Sequence, residues 1–287
     1  MPTVLVTGHS GFTGQVMAEA LHRRGMQVIP LACDITDKEA VKSWVTRASP
    51  DWVIHLAAQS FVGDADAEAF YRVNVFGTLN LMEALDGLKK PPARVLLASS
   101  ANVYGAPVIE QIHEQVVPAP MNHYACSKLV MEHMVSPWFE RLPMVIVRPF
   151  NYTGVGQDER FLIPKIIDHF ARRAPIIELG NLEVSRDFSD VRDVVAAYLA
   201  LLDSDVCGVK VNICSGQVTS LRAIIAAMNA LAGYTIDVRV NPAFVRANDL
   251  LVLRGDHRLL CELVGYVPSI SLSQTLADMF AAKCECV

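Results

Sequence analysis

The chain has 287 residues, 52% of them apolar, and a formal net charge of −5. That length suffices for one large or two smaller domains with a substantial core. The small charge gives no footprint for nucleic acid, no run is long enough to span a bilayer, and the opening MPTVLVTGHSG lacks the pattern of a secretory signal, so a cytoplasmic protein with no membrane partner is expected.

In the first half, short apolar runs alternate with amphipathic stretches. TVLVT, MQVIPLA, DWVIHLAA, RVLLASS and MVIVRPF read as strands buried on both faces. Residues 14–24, 37–48, 67–85 and 124–141 have helical spacing. Strand and helix in strict alternation predict an α/β fold with a doubly wound parallel sheet, whose ligands sit beyond the carboxyl ends of the strands.

The first strand runs directly into TGHSGFTG. Gly8 permits a tight turn, Gly11 lets backbone amides approach a pyrophosphate, and Gly14 lets the helix pack closely on the sheet. Phe12 and Thr13 belong to the same loop. The pattern follows a strand and opens a helix, the context that makes it a dinucleotide site rather than a glycine-rich turn. At the end of the second strand, Pro30 and Leu31 offer neither an acid for a ribose hydroxyl nor a base for a 2′-phosphate. Asp34 and Ile35 in CDITD are placed to bracket the adenine, although Asp34 also reads as a helix N-terminal acid. NAD and NADP both stay open, with NADPH slightly preferred.

The fourth strand ends on Ser99 and Ser100, and SSANVYG leads towards YACSK. Tyr124 and Lys128 are i and i+4 and share a helix face. A free phenol has a pKa of about 10; a nearby ammonium favours the phenolate and is expected to lower it. Ser100 would hydrogen-bond a substrate oxygen beside the phenol. Together the three form a general acid–base group for a carbonyl–alcohol interconversion. His123 reads as a helix-start residue.

The second half is less regular. Helices are expected at 161–172, 190–202, 221–231 and 272–282, with a strand at VKVNIC. Residues 1–152 plus about 183–207 are assigned to the dinucleotide-binding domain. Residues 153–182 and 208–287 are assigned to a second, smaller α/β substrate domain. The seven cysteines, Cys33, Cys126, Cys207, Cys214, Cys261, Cys284 and Cys286, fit no zinc or disulfide framework. No metal site is expected, and KCECV reads as an untethered tail.

TGxxGxxG, HLAAQS, Asn74, SSANVYG and YxxxK together resemble the extended short-chain dehydrogenase/reductases, nucleotide-sugar enzymes with a Rossmann domain. RPFNYTGVGQ, FLIPKI, RDFSDVRDV and the closing RANDLLVLRGDHRLL are similar to the GDP-mannose 4,6-dehydratase branch. The resemblance makes Ser100, Tyr124 and Lys128 the catalytic triad. It puts Leu56, Ala57, Ala58 and Asn74 on the cofactor side. Asn151, Arg186 and Arg246 fall at sugar- or nucleotide-contacting positions, arginine being suited to bidentate diphosphate recognition. Their alternatives are a turn asparagine and surface ion pairs. Asp193 is expected to orient a loop or meet an arginine.

Dehydratases of this family carry glutamate, often preceded by aspartate, just after the catalytic hydroxyl. Ala101 and Asn102 stand there instead, and neither transfers protons usefully. The resemblance therefore implies an NAD(P)H-dependent 4-keto-reductase, taking GDP-4-keto-6-deoxy-D-mannose to GDP-D-rhamnose. The alternatives are a 4,6-dehydratase, a 4-epimerase using the same triad, or a dinucleotide-binding subunit without catalysis. Leu79, Met82, Val130, Met131 and Met134 are candidates for the face of a homodimer paired through two helices.

Overall fold

The computed structural model describes residues 1–61, 66–244 and 252–285. In chain order the first unit runs β1 (Thr3–Thr7), α1 (Phe12–Arg23), β2 (Gln27–Pro30), α2 (Lys38–Ala48), β3 (Trp52–His55), α3 (Ala67–Tyr71), α4 (Thr78–Asp86), β4 (Arg94–Ala98), α5 (His123–Val135) and β5 (Met144–Pro149). There follow β6 (Asn151–Thr153), α6 (Leu162–Ala171), β7 (Ile176–Leu179), β8 (Ser185–Asp190), α7 (Val191–Asp203) and β9 (Val209–Ile213). The chain closes with β10 (Val218–Ser220), α8 (Leu221–Ala232), β11 (Asp237–Val240), β12 (Val252–Leu253), α9 (Arg258–Val264) and α10 (Leu272–Cys284).

Six parallel strands form one sheet in the order β2-β1-β3-β4-β5-β9. The order reverses direction between β1 and β3, which creates a crevice at their carboxyl ends. The strands read as continuous apolar runs because both faces are covered. On one face α1 and α7 pack with Met17, Leu21, Val194 and Tyr198; on the other, α2, α4 and α5 pack with Val41, Leu81, Met82 and Met131. A separate core around Ile166, Phe170, Ile224 and Met228 joins α6, α8 and α10 to the smaller sheets β10-β8-β12, with β6 on β8, and β7-β11. No helix among the described residues is long and apolar enough to cross a membrane.

Two sequence expectations change. The stretch 67–85 is not one helix: residues Arg72–Gly77 form a π-helical turn between α3 and α4. The Thr78 hydroxyl occupies the Asn74 carbonyl at 2.8 Å, the acceptor that the Thr78 amide would take in an α-helix. The expected boundaries at 183 and 208 also do not follow sheet membership. Val209–Ile213 is the last strand of the large sheet, and Ser185–Asp190 belongs to a small one, while α7 between them covers the large sheet. Buried hydrophobic patterning marks a strand as central without saying which sheet it completes.

Of the proposed partner face, Met82 and Met131 are buried in the chain's own core. Val130 and Met134 are exposed, as is Phe76 in the π-turn, which patterning had not singled out. Cys284 is exposed at the last position of α10, and Cys286 lies outside the described residues.

Candidate active site

The loop after β1 fits a dinucleotide. Gly8 has φ +69°, and a Cβ there would lie 2.8 Å from the Ala57 amide nitrogen. A Cβ on Gly14 would lie 2.1 Å from the Gly8 carbonyl oxygen. The glycines thus bring β1, the Leu56–Ala58 segment and α1 together at backbone contact. Gly11 caps α1 without a side-chain hydrogen bond, and no acid sits in the first turn, so the positive end of α1 faces the crevice. Phe12 stacks on Tyr152 with centroids 6.1 Å apart, and Thr13 Oγ1 lies 2.8 Å from the Tyr152 hydroxyl. The loop is thereby tied to β6, a link no sequence motif signalled.

At the adenine side, Asp34 Oδ1 accepts from the Thr36 amide and hydroxyl at 2.9 and 2.8 Å, which holds its carboxyl below the usual range. Ile35 is buried, and its side chain packs where a Cβ on Gly77 would be 2.8 Å away.

The three acid–base candidates converge at the end of β4. Ser100 begins a tight turn, accepting from the Asn102 amide at 3.1 Å, and its hydroxyl lies close enough to the Tyr124 phenol to favour the phenolate. Lys128 Nζ donates to the Ala98 carbonyl at 2.8 Å. Asn122 caps α5 through the Ala125 amide, which fixes the start of the helix that carries Tyr124 and Lys128. All three side chains are buried.

The electrostatics correct one expectation. Burial pushes the Tyr124 phenol up to about 12, against the nearby Ser100 hydroxyl that draws it down. The ammonium is aimed at Ala98, and desolvation outweighs the acidification expected from it. Burial equally brings Lys128 down to about 8, with Glu132 acting in the opposite sense. The Tyr124 phenol is thus protonated at neutral pH, the state a proton donor needs.

Asn74 lies beneath this group. Its Oδ1 accepts from the Gln59 amide at 2.9 Å, and its Nδ2 donates to the Gln59 carbonyl at 3.0 Å and to Ser127 Oγ at 2.9 Å. His55 continues the path to the glycine loop. Its Nε2 meets Thr78 Oγ1 at 2.8 Å and its Nδ1 meets Thr7 Oγ1 at 2.6 Å, while Thr7 Oγ1 accepts from the Ala57 amide at 3.1 Å. Because Thr78 donates to Asn74, Nε2 carries the imidazole proton and Nδ1 accepts. Burial brings His55 down to about 3, so the ring is neutral. A histidine at a strand end gave no sequence signal for this role.

On the substrate side, Asn151 opens β6 and donates to the Asp187 carbonyl at 3.3 Å. Arg186 stands on β8, where its guanidinium donates to the Ser185 carbonyl at 3.0 Å. Asp187 next to it is fully buried and accepts from the Ser215, Gly216 and Gly255 amides, binding two loops at one carboxylate. Arg246 lies outside the described residues. Asp193 accepts from the Tyr266 hydroxyl and the Ser269 and Ile270 amides, and so orients a loop as expected. Ala101 is buried and Asn102 exposed, so neither position after Ser100 supplies an acid. Among the described residues no cluster is suited to a metal ion.

GDP-6-deoxy-D-mannose reductase of Pseudomonas aeruginosa is 35% identical over 288 residues, covering 95% of this chain and 94% of that protein. GDP-6-deoxy-D-talose 4-dehydrogenase of Aggregatibacter actinomycetemcomitans is 34% identical over 267 residues, covering 91% of each. The solved structure of RMD from Pseudomonas aeruginosa complexed with NADPH superposes with a TM-score of 0.92 at 32% identity, over 100% of both chains. The pattern described as GDP-mannose 4,6 dehydratase matches residues 30–279, and with the relatives above it establishes that this chain belongs to that family, within the extended short-chain dehydrogenase/reductase fold.

Proposed function

We propose that the protein reduces the C4 ketone of a nucleotide-linked 4-keto-6-deoxy hexose with NAD(P)H, taking GDP-4-keto-6-deoxy-D-mannose to GDP-D-rhamnose. One observation carries this reading. Ser100, Tyr124 and Lys128 meet beside a dinucleotide-shaped loop, while the positions after Ser100 hold alanine and asparagine. Redox at C4 needs only the first three; elimination of water across C5 and C6 needs a further acid and base. The relatives named above support the GDP-sugar class.

Gly8, Gly11 and Gly14 with the N-terminus of α1 would hold the pyrophosphate, and Phe12, Thr13 and the Leu56–Ala58 segment would line the same pocket. A bound NAD(P)H supplies the hydride. Tyr124 gives its phenolic proton to the alkoxide forming at C4, and solvent later restores it. The Ser100 hydroxyl orients the carbonyl oxygen. Lys128 places a positive charge one turn from the phenol and stabilises the phenolate left behind. Asn151, Arg186 and Arg246 would bind the sugar and diphosphate.

The test is oxidation of added NADPH or NADH in the presence of 4-keto-6-deoxy sugars on GDP, UDP and dTDP, followed by NMR of the product. Stoichiometric consumption with the GDP sugar and a D-rhamno product supports the reading. A D-talo product would reassign the stereochemistry at C4. Conversion without net consumption of reduced nucleotide would make the enzyme a 4-epimerase.

We also propose a cytoplasmic homodimer. The six described cysteines are free thiols, which suits a reducing compartment. Phe76, Val130 and Met134 form the exposed apolar surface of the π-turn and α5, with half-buried Leu79 beside them. Phe76→Asp is expected to give a monomer by light scattering; an unchanged mass would remove this face from the interface.

A further inference from the structure

The last strand residue and the two serines after it meet three residues of α5 spaced one turn apart. The Ala98 carbonyl accepts from Lys128, Ser99 Oγ donates to Glu132 Oε1 at 2.6 Å, and the Ser100 hydroxyl lies near the Tyr124 phenol. Glu132 is the one of these with no part in the acid–base group. Its side chain is fully buried. Arg148 from β5 binds it twice, Nε to Oε1 at 2.9 Å and a terminal nitrogen to Oε2 at 2.5 Å. Lys210 from β9 approaches Oε2 at 3.1 Å.

A carboxylate taken fully out of water is costly, and one held by two cations and a hydroxyl is a built feature of the interior. It stands one helical turn from Lys128 on the same face. We propose that Glu132 is a positioning residue for the Ser100–Tyr124–Lys128 group, keeping the buried Lys128 ammonium charged and clamping Ser99, and with it the turn that presents Ser100, against α5.

The groups around Lys128 support a role specific to charge. On its own helix stand Tyr124 and Glu132; the end of β4 offers an uncharged carbonyl and two hydroxyls. His55 from β3 is neutral. Behind Glu132 lie the cations of Arg148 and Lys210 and the Tyr104 phenol, which accepts from Arg148 at 2.9 Å. Burial lowers the lysine and Glu132 is the group that raises it. Without that carboxylate, Lys128 would face the cations of Arg148 and Lys210 with no negative charge between them.

The proposal rests on the acid–base reading of Lys128 for its functional meaning, and its test is arranged to separate the two. The 13Cε resonance of Lys128, assigned by its loss in Lys128→Arg, is titrated in the wild-type protein, in Glu132→Gln and in Lys210→Met. In the wild type a midpoint near about 8 is expected. Glu132→Gln should move it down by about one pH unit, the size of a near-neighbour charge effect. Lys210→Met, a change at a partly exposed cation, leaves Glu132 less neutralised and should move the midpoint up. The alkaline limb of kcat/KM should move with each midpoint. A midpoint that stays put in both variants overturns the proposal, as does a Glu132→Gln protein whose activity falls equally at every pH. If Glu132→Gln does not fold, Lys210→Met decides: a midpoint unmoved or lowered overturns it. Full activity in Lys128→Met would overturn the acid–base reading instead.

Discussion

The Asn74 side-chain amide donates to the Ser127 hydroxyl at 2.9 Å, and Ser127 donates in turn to the Tyr124 carbonyl at 2.7 Å. The π-turn is thereby coupled to the helix that carries the candidate phenol and lysine. Through Thr78 and His55 the same path reaches Thr7, one residue before Gly8. The dinucleotide loop and the acid–base group, distant in sequence, are two ends of one buried polar chain.

Asn74→Ala should therefore act at both ends. It strips partners from the Gln59 backbone amide and carbonyl and from Ser127, and unsatisfied buried groups cost about 1–3 kcal/mol each. Only Ser127 of these is fully buried, so urea denaturation should show a loss of at least about 1 kcal/mol, with a lower kcat and weaker NADPH binding. Wild-type stability would mean that water replaces the amide without cost.

Gly14→Ala should abolish nucleotide binding, because the new methyl group meets the backbone of the loop after β1, at 2.1 Å from the Gly8 oxygen and 2.6 Å from His9 Cα. Gly25→Ala is the control. That residue has φ +69° but nothing within 4 Å of an added Cβ, so its cost is the left-handed backbone alone, about 1–2 kcal/mol. Fluorescence titration with NADPH should separate them, and equal affinities for the two variants would contradict the loop assignment.

Tyr124→Phe should lower kcat by about two to four orders of magnitude, typical of a general acid–base group, with the fold intact. Circular dichroism and stopped-flow oxidation of NADPH check the two halves. Ser100→Ala should cost less, since water can occupy the hydroxyl's place.

His55 should mark the acid limb of stability. Its pKa falls from 6.5 to about 3 on folding, so the unfolded chain binds the extra proton between those values. The stabilisation is complete above about 6.5 and is lost as the pH falls towards 3. Urea midpoints at about pH 7 and about pH 4.5 should differ more in the wild type than in His55→Gln, whose amide does not titrate. Equal differences would show that the ring is not neutral in the fold.

The strands of the large sheet, the glycine loop and the pair Tyr124–Lys128 were legible in the sequence because each is a local pattern: an apolar run, a three-residue glycine spacing, one helical turn. The π-turn at Asn74 was not, since the apolar spacing runs through it unbroken and its Thr78 hydroxyl–Asn74 carbonyl bond leaves no mark in a periodicity. Glu132 and Arg148 were passed over for a related reason. A charged residue on an apolar helix face and another in an apolar strand carry no mark of each other until β5 is laid beside α5. The assignment of Val209–Ile213 failed because which edge a strand completes is a property of the whole topology.

That topology bears on synthesis. The strand that covers the outer side of β5 is encoded some sixty residues later, after the path has made β6, α6, β7, β8 and α7. A ribosome that has emitted everything up to Asp203 still presents Met144–Pro149, buried at every position in the finished protein, as an unpaired ribbon edge. Such an edge is a template for pairing with another nascent copy. Slow translation between Asp203 and Ile213 would prolong that hazard, whereas truncation before Val209 would make it permanent.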